Sequence, residues 1–232
     1  MTNSNKHFIY WILPSLVVLL CMLIYFFDIF GLSYIIAPEY NREFGVVENI
    51  HLIIIIAIIV IAIKSLLKAK AVWLKLTFII LLFGSVFIFL EEIDYGLHYY
   101  EYFMGKTAAE LKAEVYNKDN IRNIHNSFDV TNQIKVFAYI LLGSICLLPL
   151  IFRKINFNNK WIDLLAPKHY LIYTLIAMAL LNQLALYIEK TLKSEEINSL
   201  NSNVSEFEEV FIYYIVFLYV LEKSSLFLAR EK

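Results

Sequence analysis

Glycine and proline are scarce in this chain of 232 residues, six and four respectively. Few turns and long helices follow from that. Charge is thin as well: 18% of residues are Asp, Glu, Lys or Arg, where soluble domains carry about 25%. The formal net charge is −1, and no basic patch marks a nucleic-acid partner. Only two cysteines occur, Cys21 and Cys146, each inside an apolar run. They form no CxxC pair and no disulfide framework, and they read as small buried hydrophobes. What is abundant is apolar surface. Hydrophobic residues make up 60% of the chain, with 18 Phe and 16 Tyr, and mean hydropathy is +0.64. Aromatic rings in such numbers suit helix contacts and lipid interfaces.

A bilayer core needs about 20 mainly apolar residues per helix. Six stretches qualify, at roughly 8–36, 45–67, 72–103, 130–152, 168–190 and 207–229. The first is too long for a signal-peptide core, and no small-residue cleavage site follows it; it is expected to remain as a span. The expectation is an all-α polytopic bundle of six transmembrane helices in a single domain, with an outer loop at 104–129. The first and third stretches exceed what a span requires, so their ends should project or tilt.

Lysine and arginine set the orientation. Lys64, Lys68, Lys70 and Lys75 surround the second loop, and Arg153, Lys154, Lys160 and Lys168 the fourth. Lys6 precedes the first span, while Lys223, Arg230 and Lys232 lie around the end of the sixth. With six spans all these regions share one side, taken as cytoplasmic, and both termini lie there. The third loop balances Lys106, Lys112, Lys118 and Arg122 against Glu110, Glu114 and Asp119.

Ionisable groups within spans cost about 2.5–3.5 kcal/mol each on insertion scales, so those present need a reason. Span two opens with Glu48, Asn49 and His51. Glu48 and His51 are three apart and share a helix face, in a Glu-x-x-His spacing that metal-binding helices use. Span three ends with Glu91, Glu92, Asp94 and His98. On a continuous helix Glu91, Asp94 and His98 would form one stripe, with Glu92 turned towards Tyr95, Gly96 and Tyr99. The third loop closes with Asn123, His125 and Asn126, and Asn126 or Ser127 is suited to cap the next helix. Span six opens with Glu206, Glu208 and Glu209, where the helix dipole alone favours acids. In this topology all these residues fall at one depth, near the outer leaflet. The inner halves of the spans are almost free of acids.

At these residues the chain resembles a largely uncharacterised family of bacterial multi-pass inner-membrane proteins. In that family an apolar helix ends in Glu-Glu-x-x-x-Gly, a variable outer loop follows, and the next helix begins Asn-Leu-His-Asn. Here the segments read Glu91-Glu92-Ile93-Asp94-Tyr95-Gly96 and Asn123-Ile124-His125-Asn126. The glutamates opening span six are similar too. Family members tend to carry Trp where this chain has Tyr95, and Gln-Arg where it has Leu97-His98. The resemblance implies a multi-pass protein of the bacterial inner membrane and brings no activity with it. Membrane ceramidase-like hydrolases differ, because their late His-x-x-x-His has no counterpart in span six.

The expected function is a membrane-embedded, metal-dependent hydrolase or transferase acting on a lipid or envelope glycolipid. Glu48, His51, Asp94 and His98 are the expected ligands of a divalent metal, zinc or a di-metal pair. Glu91, Glu92, His125 and Glu209 are the expected catalytic groups, with Asn49, Asn123, Asn126, Glu206 and Glu208 in support. Without metal, two carboxylates could serve as acid and base. A proton-coupled transporter or channel is an alternative. Its weakness is that spans such as 53–63 and 81–90 offer no polar path. A third reading is the membrane subunit of a two-component envelope glycolipid (lipopolysaccharide sugar) hydrolase, which would need a partner subunit.

Overall fold

A computed structural model describes residues 3–36, 45–105, 128–154, 166–192 and 205–230. Among these residues every regular element is helical. Asn3–His7, Phe8–Ile12 and Leu13–Phe26 run on as one helix, α1, whose Phe8–Ile12 turn is widened to π geometry. Then come α2 (Val46–Lys68), α3 (Val72–Glu92), the short α4 (Leu97–Met104), α5 (Phe128–Lys154), α6 (Tyr170–Leu192) and α7 (Ser205–Arg230). An all-α bundle is the result. Five of these helices are long and apolar enough to cross a membrane. The other long helix, α5, carries a shorter apolar run, Val136–Leu147.

The ends of α2, α5, α6 and α7 fall within two residues of the expected spans. The other two spans stop early. The first was expected to reach residue 36, but α1 ends at Phe26, and Asp28, Phe30 and Gly31 take left-handed φ of 43°, 59° and 67°. A helical turn at Ser33–Ile36 follows. The Asp28 carboxylate accepts the Ser33 amide at 3.0 Å, and Ser33 holds that carboxyl below its usual range. The third span was expected to reach residue 103 but ends at Glu92. Asp94, Tyr95 and Gly96 have φ of 46°, 54° and 89°, and the Gly96 amide closes the turn on the Ile93 carbonyl at 2.8 Å. Right-handed helix cannot pass through three such residues. Glycine adopts this conformation without steric cost, which explains Gly96.

Helix α7 is the hub, packing against α1, α2, α5 and α6. The main core joins Val18, Met22 and Phe26 of α1, Leu171 and Met178 of α6, and Phe207, Phe211 and Ile215 of α7. Helices α2 and α3 form a hairpin across Ala69–Ala71, and α3 packs mainly on α2. Ile53, Ile80, Phe83, Phe137 and Leu180 project outward. In water they would be a liability; in lipid they are the expected surface, because each helix satisfies its own backbone.

The starts of α2, α5 and α7 share one end of the bundle with the last residues of α1, α3 and α6. Lys6, Lys68, Lys70, Lys168 and Lys223 gather towards the opposite end. There the Tyr10 hydroxyl (3.4 Å) and the Lys168 amide (3.3 Å) both donate to Glu222 Oε2. Lys223 pairs with Glu222 Oε1 at 3.4 Å and donates to the Ala166 carbonyl. The widened turn of α1 presents its carbonyls to this region. Tyr214 donates to Ile9 O and Thr174 to Tyr10 O, each at 2.7 Å. So the half of the bundle expected to be nearly free of acids contains a satisfied polar knot around Glu222. Tyr214→Phe should lower stability by about 1 kcal/mol, the worth of one such bond. Thermal unfolding in detergent checks it, and an unchanged midpoint would mean the bond is idle.

Candidate functional site

Three helices build the site, and each contributes from its terminal turns. On α2, Gly45 is the extended residue before the helix, and the Asn49 side chain donates back to its carbonyl at 2.8 Å. That fixes the first turn, which carries Glu48, an acid favoured there by the helix dipole. His51 follows three residues later and has no solvent exposure.

The two ring nitrogens of His51 have different neighbours. Nε2 lies 3.2 Å from the backbone carbonyl of Glu206 on α7, and Nδ1 lies 3.3 Å from Glu48 Oε2. A carbonyl oxygen can only accept, so Nε2 carries the hydrogen. In the neutral ring Nδ1 is then a bare lone pair facing a carboxylate. Two acceptors at that distance repel unless a cation or proton lies between them. For a tetrahedral cation with ligands about 2.0–2.1 Å away, adjacent ligands are about 3.4 Å apart. The Nδ1–Oε2 separation matches.

Glu92 is the last residue of α3 and completes the first group. One ligand atom from each of Glu48, His51 and Glu92 lies within 4.8 Å of the others. A second group meets the same limit with His51, Glu206 and Glu209. Glu206 also lies beside Glu48. Four carboxylates from three helices thus surround one buried imidazole. Tyr213 closes the cluster: its hydroxyl donates to Glu92 Oε1 at 2.5 Å, and its ring lies 5.4 Å from that of His51.

The sequence-predicted residues divide accordingly. Glu48, His51, Glu92, Glu206 and Glu209 come together. Glu206, expected only to support the site, offers it both a carboxylate and the carbonyl that orients His51. Glu91 is buried elsewhere and accepts from Tyr95. Asp94 is buried in the turn after α3 and belongs to neither ligand group. The expected Glu91–Asp94–His98 stripe does not form, because the helix breaks between its members. The His98 side chain lies outside the described residues, as do Asn123, His125 and Asn126. Glu208 belongs to neither ligand group and accepts from Tyr139 of α5 at 2.7 Å. Asn49 acts on its own helix end. Tyr213 was missed, although Glu206, Glu209 and Tyr213 stand at i, i+3 and i+7 on one face of α7.

No protein-family model matches the chain, and no curated protein or solved structure does either.

Proposed function

We propose that the chain is a membrane-embedded, divalent-metal-dependent hydrolase or transferase, with a lipid or envelope glycolipid as its substrate. One observation carries this reading. The ring nitrogens of His51 lie 3.2 Å from the Glu206 carbonyl and 3.3 Å from Glu48 Oε2, and Glu92 offers a ligand atom within 4.8 Å of both side chains. Metal-bound histidines are commonly oriented in this way, the second nitrogen donating to a carbonyl or carboxylate. Carboxylates and one imidazole suit zinc, manganese or iron.

A cation held by Glu48, His51 and Glu92 would polarise a phosphoryl or acyl oxygen and make water more acidic. In hydrolysis the water oxygen bonds to phosphorus or carbon, and the bond to the leaving alcohol breaks. The water's proton would pass to a neighbouring carboxylate, Glu206 or Glu209, and then to the leaving oxygen. In transfer, a hydroxyl replaces water. The position of the site favours a lipid substrate. It lies at one end of the long apolar helices, where Ile53, two residues after His51, is exposed. Lysines collect at the other end, so the positive-inside rule directs the site outward, into the periplasm if the host membrane is a bacterial inner membrane.

Purified protein incubated with phospholipids and envelope glycolipids tests this, with head-group release followed by mass spectrometry. Release should stop on chelation and return with metal. Glu92→Gln should lose at least 100-fold in rate while remaining folded in detergent. Release that persists in Glu92→Gln or under chelation would contradict the reading.

A further inference from the structure

We infer that Tyr213 is a positioning residue of this centre, holding Glu92 so that it meets the metal through one oxygen only. The inference rests on the metal reading above and adds a residue and a coordination mode to it. Glu92 is poorly anchored by its own helix. It is the last residue of α3, and the chain turns left-handed two residues later. Helix α3 meets α7 through apolar side chains at the far end, where Leu74 and Phe78 cluster with Phe227. At the site end the tie is polar, from the Tyr213 hydroxyl to Glu92 Oε1 at 2.5 Å. That distance belongs to a strong bond between a hydroxyl and a carboxylate.

The consequence is chemical. A carboxylate with one oxygen engaged by a phenol presents the other to a cation. One-oxygen binding leaves a coordination position for water or a substrate oxygen, as catalytic sites require. Chelation through both oxygens would fill it. Tyr213 also packs its ring against His51. The hydroxyl and the ring therefore hold two ligands drawn from two different helices.

The test is substitution of cobalt(II) into chelator-treated, full-length protein in detergent, followed by visible spectroscopy. Wild type should give the intense absorption of a four-coordinate cobalt site. Tyr213→Phe keeps the ring and removes the hydroxyl. It should bind cobalt 10–100-fold more weakly, the usual range for losing such a partner, and its absorption should weaken as Glu92 chelates and the coordination number rises. Tyr214→Phe is the control. It removes a neighbouring hydroxyl bonded to Ile9, and it should lower stability without changing the cobalt spectrum. Gel filtration and thermal unfolding establish that both variants are folded. A Tyr213→Phe protein with wild-type affinity and spectrum would overturn this inference alone. A wild type that takes up no cobalt would overturn the metal reading and this inference together.

Discussion

His51→Ala should abolish metal binding and, with it, head-group release. No other residue in the cluster offers nitrogen, and both nitrogens of this ring are committed. Nδ1 faces Glu48, and Nε2–H satisfies the carbonyl of Glu206. Alanine removes both contacts and leaves a cavity where a side chain with no solvent exposure stood. The affinity loss should exceed 100-fold, beyond the 10–100-fold of an outer partner. Stability should fall by about 2–3 kcal/mol, the scale of a buried acceptor losing its donor. His51→Gln is the informative companion, since an amide can still donate to the carbonyl. It should recover part of the stability and none of the metal. If it recovers both, the ring is a packing element. Isothermal titration with zinc and thermal unfolding measure the two quantities on the same samples.

Glu222→Ala should produce the largest loss of stability, at the other end of the bundle. Glu222 and Lys223 are a largely enclosed ion pair, with side-chain exposures of 9% and 6%. Removing one member of such a pair strands the other charge and costs about 3–5 kcal/mol. Three segments depend on Glu222: the Tyr10 hydroxyl of α1, the Lys168 amide before α6, and Lys223 of α7 itself. The variant should unfold at much lower denaturant in mixed micelles. Glu222→Gln retains an acceptor for Tyr10 and Lys168 and should lose less. Zinc affinity should be unchanged in whatever fraction stays folded, because the knot and the cluster around His51 lie at opposite ends. A loss below about 0.5 kcal/mol would place Glu222 among ordinary exposed pairs.

The spans were legible because uninterrupted apolar runs leave few alternatives. Val46–Lys68 and Ser205–Arg230 lie within two residues of where composition put them. The ends of α1 and α3 were not legible. Asp28, Phe30, Asp94 and Tyr95 adopt positive φ, and phenylalanine and tyrosine are residues from which no turn is expected. Reading past Glu92 as helix produced the false stripe of Glu91, Asp94 and His98. The Glu48–His51 pair was legible because its spacing is local to one helix. Glu92 and Glu209 were found by depth alone, which ranks residues without resolving faces. Glu206 and Glu208 show the limit: two positions apart, one enters the cluster and the other turns to Tyr139. Tyr213 was hidden among sixteen tyrosines. Glu222 was hidden by its neighbour, because Lys223 was counted only as an orientation signal.

The proposed function requires Glu48, His51 and Glu92 to hold a metal ion. Elemental analysis of the purified wild-type protein, beside His51→Ala prepared identically, tests it most directly. At least one equivalent of a divalent transition metal is expected per wild-type chain, and none in the variant. Wild type and variant with equal metal content, or a folded wild type that stays empty when zinc, manganese and iron are supplied, would contradict it.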